Sequence, residues 1–299
     1  MPNLKDIRTR IGSVKNTRKI TKAMKMVAAA KLRRAQEAMQ AARPYAVKMK
    51  EVIEGLADRV DEDAHPLLES RPEREKILVV VVSSNRGLCG GFNTNLFRAV
   101  DRFLKEQQLA GEVIEVASVG RKAREHYNRS GFEIVRSYDD VIGDVNFKKA
   151  KKIAGELIAD FVEKRYDAVY VCYNKFISAI VAEKMIVPLL PLSVEGAEEA
   201  AEAREDRKKN TSAGDFIYEP DVNTLLGQLL PGNVEVQVLQ ALLESEASEH
   251  AARMTAMDSA TNNAGDMIDN LTLQYNRARQ AYITKEIVEI VSGAESLKG

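Results

Sequence analysis

The longest periodic pattern of hydrophobic and polar positions lies near the end of the chain, from about Val234 to Ser292. Apolar or small residues recur there at steps of three, four and seven, the spacing of a seam between two packed helices. They are Leu243, Ala247, Met254, Met257, Ala264, Ile268, Leu271, Tyr275, Ala278 and Tyr282. Such a helix would measure about 90 Å at 1.5 Å per residue, more than a globular domain needs. The pattern therefore predicts a long helix that projects from the body or runs along a second helix.

A second periodic pattern opens the chain and keeps a 3-4 spacing from Leu4 to Val60, which predicts a left-handed supercoil. Arg18, Thr21 and Lys25 interrupt its apolar seam, although buried charge is costly without a partner. Pro44 predicts a bend or local break. Because the two helices lie at opposite ends of one chain, they pair most simply as antiparallel neighbours.

Between the two helical ends, strand patterns alternate with helix patterns, which favours a mostly parallel sheet. The predicted elements are strand Ile77–Val82, helix Thr94–Gln108, strand Val113–Val119, helix Gly120–Arg129, strand Phe132–Val135, helix Phe147–Arg165, strand Tyr166–Tyr173 and an extended stretch within Ser178–Leu192. After them come a linker or marginal helix at Glu195–Lys209, a short strand at Phe216–Pro220 and a short helix from Asp221 to Leu230, ended by Pro231 and Gly232.

The predicted fold class is therefore α/β: a long antiparallel coiled coil of the N- and C-terminal helices with an inserted, mostly parallel α/β domain. We expect a first shaft helix at 1–60, the α/β domain at 77–220 and a second shaft helix at 221–299.

Charge is balanced over the whole chain, with 44 basic and 44 acidic residues, but it is unevenly distributed. Residues 1–34 hold eleven Lys or Arg against one acid, whereas residues 233–299 hold five against ten. A basic first helix can meet nucleic acid, an anionic membrane or an acidic protein, or it can simply be solvated. No aromatic residue precedes Tyr45 and no nucleic-acid-binding motif is present, which argues against nucleic acid.

Cysteine and histidine usage indicates neither a metal site nor a disulfide framework. Cys89 and Cys172 lack metal spacing, and His65, His126 and His250 are scattered, so we interpret them as incidental. No signal peptide or membrane span is evident. We therefore expect the protein to be used on the side of the membrane where it is made, in a bacterial cytosol.

A glycine-rich loop, Ser83–Asn93, follows a predicted buried strand and precedes a helix, where nucleotide-binding folds place phosphates. It fits neither GxGxxG nor the P-loop pattern, so glycines that let backbones approach closely are the simpler interpretation. Cys89 has no nearby histidine or acid to activate it as a nucleophile.

Both ends of the chain carry specific motifs. They are the C-terminal run Ile283–Ser296 (ITKEIVEIVSGAES) and the N-terminal run Ile7–Lys31. The first is similar to the signature of the bacterial F-type ATP synthase gamma subunit, and the second resembles the first helix of the same family. Arg86–Gly91, Tyr218–Pro220 and Met254–Met257 match the family in the same order.

The resemblance implies a central-stalk rotor that couples proton flow through the membrane c ring to ATP synthesis or hydrolysis at the beta subunits. It implies an antiparallel shaft inside a hexamer of alternating alpha and beta subunits, with the α/β domain near the c ring and contacts to epsilon. Such a subunit is not an enzyme on its own and needs no cofactor. It would lie peripherally on the cytoplasmic face of the bacterial cell membrane, and no nucleic acid is implied.

The resemblance also assigns contact residues in three groups. A lever surface facing an acidic helix of beta comprises Arg18, Thr21, Lys22, Met24 and Lys25. Upper contacts and a bearing against alpha and beta comprise Arg253, Gln280, Thr284, Ile287, Ile290 and Val291. A foot near the c ring comprises Tyr218 and Glu219.

One departure is Asn85, where many relatives carry Asp, and another is the lack of an inserted segment with a regulatory cysteine pair. Two alternatives from other classes stay open at this point. One is a small-molecule-binding α/β enzyme with helical arms, and the other is a coiled-coil tether or nucleic-acid adaptor that uses the basic helix.

Overall fold

The structure is a computed structural model that describes residues 4–57, 65–69, 71, 74–192 and 222–296. The chain divides into two compact units, residues 1–30 with 253–299, and residues 31–252. Its elements are α1 (Leu4–Ala57), β1 (Lys76–Val82), α2 (Phe92–Leu109), β2 (Val113–Val119), α3 (Arg121–Ser130), β3 (Glu133–Tyr138), α4 (Phe147–Val162), β4 (Ala168–Phe176), β5 (Ala182–Leu190) and α5 (Val222–Ser296).

The second unit is built on a five-stranded sheet in the order β3-β2-β1-β4-β5. Strands β1 to β4 are mutually parallel, and β5 pairs antiparallel with β4. The predicted mostly parallel sheet is therefore confirmed. The antiparallel edge arises because only five residues separate β4 from β5, too few for the crossover that a parallel strand requires.

Helices cover both faces of the sheet, so its central strand β1 is apolar from Ile77 to Val82. Leu78, Val80 and Val82 of β1 pack on one face with α4 and the first turns of α5. Ile77, Val79 and Val81 pack on the other face with α2 and α3. Burial on both sides explains why β1 is a continuous hydrophobic run, without the alternation of a half-exposed strand.

The last helix starts earlier than the sequence predicts. The prediction of a separate short helix that ends at Leu230 is wrong, because α5 runs without interruption from Val222 through Pro231 to Ser296. Proline inside a helix costs about 3 kcal/mol. The flanking Leu230 and Val234 are fully buried in the core, and each such side chain returns about 1.5–3 kcal/mol. Asp221, the predicted cap of that short helix, lies outside the described residues.

Helix α1 is likewise continuous through Pro44, so a break there is wrong, while the alternative that was predicted with it, a bend, stays a prediction. Within the second unit, Met49 of α1 lies against Gly232 of α5, and its terminal carbon would stand 3.6 Å from a Cβ at that position. That distance is an ordinary van der Waals contact, so α1 and α5 pack closely at this point. The predicted linker Glu195–Lys209 and strand Phe216–Pro220 lie outside the described residues, and the predicted domain limits stay a prediction.

In the first unit, α1 and α5 pack as an antiparallel pair. Lys25 contacts Asp258, and Thr21 contacts Thr261. The Arg18 guanidinium carbon would lie 3.6 Å from a Cβ at Gly265. The residue numbers in these three contacts add to 283, 282 and 283. The numbering therefore increases along one helix as it decreases along the other, so the helices are antiparallel. The predicted antiparallel coiled coil of terminal helices is therefore confirmed.

Candidate partner-contact surfaces

The five residues of the predicted lever surface do not form a single exposed patch. Arg18 and Lys22 are exposed on α1, and Met24 and Lys25 are half-buried. Thr21 is buried, with only 8% of its surface accessible, because it faces α5. The two exposed cations are therefore the members of this group that can meet a partner directly.

Thr21 belongs to a hydroxyl cluster inside the helix pair. Its Oγ1 lies 3.1 Å from the Arg18 carbonyl oxygen and 2.8 Å from Thr261 Oγ1. Thr261 Oγ1 also lies 2.7 Å from the Met257 carbonyl oxygen. Two hydroxyl protons serve three close oxygen pairs, so at any moment one pair lacks a proton. The threonines thus join the helices through a contact that can exchange its donor.

Lys25 is held by a partner on the opposite helix. Its Nζ lies 2.6 Å from Asp258 Oδ1, and the two side chains are 41% and 46% exposed. An ion pair at this exposure contributes about 0–1 kcal/mol, so its main effect is on which residues stand opposite each other. The Lys25 charge is therefore already matched within the chain.

The upper contact group divides by burial. Gln280, Thr284, Ile287, Ile290 and Val291 are all exposed on the last turns of α5, while Arg253 is half-buried. The large apolar side chains among them, with Tyr282, Ile283 and Val288, are 45–65% exposed. An apolar cluster of this kind marks a surface that another molecule covers. Among the described residues of the first unit, this apolar end (residues 282–291) is the most evident surface without a partner in the chain.

Tyr218 and Glu219, the predicted foot, lie outside the described residues. Their contact with a c ring stays a prediction.

The glycine-rich loop uses its polar side chains to hold itself together. Asn85 Nδ2 donates to the carbonyl oxygens of Asp139 and Ile142, at 2.8 and 3.2 Å, and its Oδ1 accepts from Arg121 N. Asn93 Nδ2 donates to Ser84 Oγ at 2.7 Å. An aspartate at position 85 could accept but could not donate. The side chains best placed to bind a phosphate therefore already form hydrogen bonds within the protein.

The crevice between β1 and β4, where sheets of this topology usually bind ligands, is also filled. Asn174 Nδ2, at the end of β4, donates to the Phe92 carbonyl oxygen at 3.4 Å, and Ser248 Oγ of α5 donates to the Asn174 carbonyl oxygen at 3.0 Å. Both contacts are buried, as are the three residues that form them. The geometry therefore does not favour the nucleotide-binding alternative.

Two classes of site find no support in the part of the chain that the structure describes. No group of three or more His, Cys, Asp or Glu side chains is placed to hold a metal ion among those residues. Among the described helices, none combines the length and apolar character that crossing a bilayer requires.

Sequence reasoning missed Thr261 and Asp258, the residues opposite Thr21 and Lys25. A signal was available, because Thr261 fills the gap in the 3-4 series between Met257 and Ala264. A polar seam residue in each helix suggests that the two meet. His126 was also undervalued, since its Nε2 lies 3.0 Å from Asp101 Oδ2 and its ring stacks on Phe97.

The comparisons with known proteins cover the whole chain. A sequence model of the family described as ATP synthase matches residues 3–297. The ATP synthase gamma chains of Trichlorobacter lovleyi and Geotalea uraniireducens are 49% and 50% identical over 299 residues, with both chains fully covered.

Solved structures agree on the fold. A chain from the central stalk and c ring of the Tetrahymena thermophila mitochondrial ATP synthase is 29% identical with a TM-score of 0.59, covering 81% of this chain and 99% of that one. A chain from the Euglena gracilis mitochondrial ATP synthase is 22% identical with a TM-score of 0.67, covering 98% and 94%. This chain therefore belongs to the ATP synthase gamma-chain family.

Proposed function

We propose that this chain is the central-stalk rotor of a proton-translocating F-type ATP synthase. One observation carries the proposal: an antiparallel helix pair ends in exposed apolar side chains, in a chain similar to gamma chains along its full length. A shaft needs an end that binds without fixing an angle. Apolar contact meets that need because the hydrophobic effect is non-directional.

The mechanism divides the work between the end of the shaft and its side. The apolar end turns inside the sleeve formed by three alpha and three beta subunits. Lower on the shaft, exposed Arg18 and Lys22 face an acidic helix of each beta subunit in turn. Charge attraction of this kind acts over several ångströms and sets no single hydrogen-bond register, so it can be passed from one beta to the next.

The buried and half-buried lever residues have a different task in this mechanism. Thr21 and Lys25 contact α5 at 2.8 and 2.6 Å, so they resist sliding of one helix along the other. Torque applied at one end of the pair then reaches the other end without loss of register. We assign these two residues to the stiffness of the shaft and Arg18 and Lys22 to the contact with beta.

The remaining parts of the proposal concern partners and place. The Tetrahymena relative is part of a central stalk with a c ring, which supports contact of this chain with a c ring. We assign that contact to Tyr218 and Glu219, and we expect an epsilon subunit as a further neighbour. We assign no catalytic residue or cofactor site to this chain, and we assign ATP chemistry to the beta subunits. The complex lies on the cytoplasmic face of the bacterial cell membrane, where this chain is peripheral.

Co-assembly tests the rotor proposal. The chain is mixed with alpha and beta subunits of a related bacterial enzyme, and ATPase activity is measured across a gel-filtration profile. We expect one copy to migrate with six large subunits and to stimulate hydrolysis. A folded chain that elutes alone, with no stimulation, would contradict the proposal and return attention to a tether.

The lever assignment has its own test in the assembled complex. Lys22→Glu reverses an exposed charge in the lever surface, and Lys15→Glu makes the same change two helical turns away on the same face of α1. We expect Lys22→Glu to reduce ATP-driven proton pumping several-fold, with Lys15→Glu close to the parent. Equal pumping by both variants would remove Lys22 from the lever surface.

A further inference from the structure

An open cleft of about 580 Å³ lies between α2 and α3, on the face of the second unit that these helices cover. We call it the basic cleft, and its lining includes Phe97, Arg98, Asp101, Arg102, Lys105 and His126. The rotor mechanism makes no use of it. Its volume falls in the range of about 300–1,000 Å³ typical of small-molecule sites.

Three cations line the cleft from a single helix face. Arg98, Arg102 and Lys105 stand at positions i, i+4 and i+7 of α2, and all three are exposed. Within the described chain, none of the three forms an ion pair or a hydrogen bond. Arg98 and Arg102 are like charges at i and i+4, a spacing that destabilises a helix by about 0.2–0.5 kcal/mol.

The acid of the cleft is already occupied. Both oxygens of Asp101 lie at 3.0–3.1 Å from His126 Nε2, so the carboxylate is turned toward α3. The His126 ring in turn stacks on Phe97 at 4.5 Å between ring centroids, and Phe97 is buried. The pair fixes the floor of the cleft and leaves the three cations facing its opening.

We propose that the basic cleft binds a phosphate-bearing polyanion, such as a linear polyphosphate or the phosphate chain of a nucleotide. From Arg98 to Lys105 the helix rises about 10 Å, so the three cations are spread along one helix face. A chain of phosphates spans that distance. Arginine suits this ligand because its planar guanidinium donates two parallel hydrogen bonds to a phosphate.

The floor limits which ligands fit. Phe97 is already stacked on His126, so it offers no open face to a nucleobase. Recognition therefore rests on the phosphates alone, and a nucleotide and an inorganic polyphosphate of equal charge bind alike. Anionic lipid headgroups share this chemistry and are separated by the experiment.

Calorimetric titration of the full-length chain with sodium tripolyphosphate at 150 mM salt tests the proposal. Arg98→Gln with Arg102→Gln removes two cleft charges at i,i+4 spacing. Lys148→Gln with Lys152→Gln removes two exposed charges at the same spacing on α4 and serves as the control. We expect saturable binding by the parent and the control, and a Kd at least about tenfold weaker for the cleft variant.

Asp101→Asn keeps a side chain beside His126 and removes the negative charge, so tripolyphosphate should bind several-fold more tightly than to the parent. Melting curves show whether each variant is folded. Flotation with phosphatidylglycerol vesicles, compared with phosphatidylcholine vesicles, tests whether the ligand is an anionic lipid. Binding to phosphatidylglycerol that is lost only in the cleft variant would assign the site to lipid phosphate.

Either of two results would overturn the proposal. One is no saturable binding of tripolyphosphate or of phosphatidylglycerol vesicles by the parent chain. The other is an equal loss of binding in the cleft and control variants, which would show a response to net charge and not to the cleft. Neither result bears on rotor assembly, which is measured separately.

Discussion

Gly120 occupies the turn from β2 into α3 with φ of 91° and ψ of 145°, a conformation that residues with a Cβ rarely adopt. A Cβ at this position would stand 2.4 Å from the Ser83 carbonyl oxygen. Ser83 cannot retreat easily, because its Oγ accepts a hydrogen bond from Ala123 N at 2.8 Å. Backbone strain and close approach therefore coincide at one residue.

We expect Gly120→Ala to lower the free energy of unfolding by about 3 kcal/mol, measured by urea denaturation. Gly111→Ala is the matched control, since Gly111 also has a positive φ of 95° but nothing within 4 Å of an added Cβ. The control should lose about 1–2 kcal/mol from strain alone. Similar losses in both variants would show that the approach to Ser83 is unimportant.

Glu244 is a carboxyl group buried in the second unit, with 6% of its surface accessible. Gln240 Nε2 donates to Oε1 at 3.0 Å, whereas Oε2 has no hydrogen-bond partner among the described residues. Burial raises the pKa of Glu244 above its ordinary value, and the Gln240 hydrogen bond and the Lys175 charge oppose this shift only in part. The folded chain therefore holds this proton more tightly than the unfolded chain does.

The stability that comes from protonated Glu244 is complete below about pH 4.5, and it is lost as the pH rises through the folded-state pKa. Glu244→Met removes the buried charge at similar volume, so we expect higher stability at pH 7 and a weaker decline above pH 4.5. Urea denaturation across pH 4 to 8 measures this. Glu106→Gln, at an exposed position on α2, should leave the pH profile unchanged. If Glu244→Met and the parent chain show the same dependence of stability on pH, the prediction is wrong.

The role of a single residue could be predicted where it depends on neighbours in the sequence, and less well where it depends on a partner far away in the chain. The sequence identifies Thr21 and Lys25 as irregular positions, but it does not show that Thr261 and Asp258, more than 230 positions away, stand opposite them. The same holds for His126, whose partner Asp101 lies on another helix. Its apparent isolation in the sequence says nothing about its neighbours in space.

Among the elements, the seam of the helix pair gives the sharpest contrast between neighbouring positions on α5. Ile268 and Leu271 are each only 8% exposed, whereas Leu273 is 58% exposed. Removing a packed aliphatic side chain costs about 2–5 kcal/mol, because the lost transfer free energy adds to that of the cavity. Removing the side chain of an exposed leucine changes the transfer free energy little and leaves no cavity.

We therefore expect Leu271→Ala or Ile268→Ala to destabilise the first unit by about 2–5 kcal/mol, and Leu273→Ala by less than about 0.5 kcal/mol. Thermal melting followed by circular dichroism in the full chain, with proteolysis of α5 as a local probe, measures both. If Leu273→Ala proves as harmful as Leu271→Ala, the seam has been placed on the wrong face.

Elements with one dominant signal were predicted closely. Strand β2 has the predicted bounds, and β1 and α4 begin within one residue of theirs, because buried strands and amphipathic helices carry strong periodicity. The predicted start of α5 was wrong, because Pro231 and Gly232 are residues that usually end a helix. Burial of Leu230 and Val234 overrides them, and burial depends on tertiary packing.

For the whole molecule, the exposed apolar end of α5 separates the requirements of folding from those of assembly. Ile287 and Ile290 are 55% and 65% exposed, so their side chains contribute little to the folded chain alone. In a sleeve of alpha and beta subunits they would be covered. The same two residues then stabilise the complex.

We expect the double change Ile287→Ser with Ile290→Ser to leave the melting temperature of the isolated chain within about 2 °C of the parent, because exposed substitutions change stability by about 0.5 kcal/mol or less. Co-assembly with alpha and beta should fall several-fold, as measured by gel filtration. Leu109→Ser, at the last residue of α2, which is 90% exposed, is the control and should assemble normally. Normal assembly of the double variant would remove the bearing role from this end.

At this scale the family and the fold class could be predicted from the sequence, because the motifs at the two ends are specific and keep their order. The basic cleft could not. Arg98, Arg102 and Lys105 look like an ordinary solvated helix face until Asp101 is seen bound to His126 on another helix. Spatial convergence of common residue types leaves no motif to find.

The constant register of the helix pair restricts how the chain can change in length. Each inserted residue turns all that follows by about 100° and advances it by 1.5 Å. One insertion in α5 between Thr261 and Gly265 would carry Gly265 away from Arg18 and bring polar faces into the seam. Only whole heptads, added to both helices together, keep every opposed pair opposed. Homologous shafts should therefore be longer or shorter by sevens, while surface loops of the α/β unit remain free to vary one residue at a time.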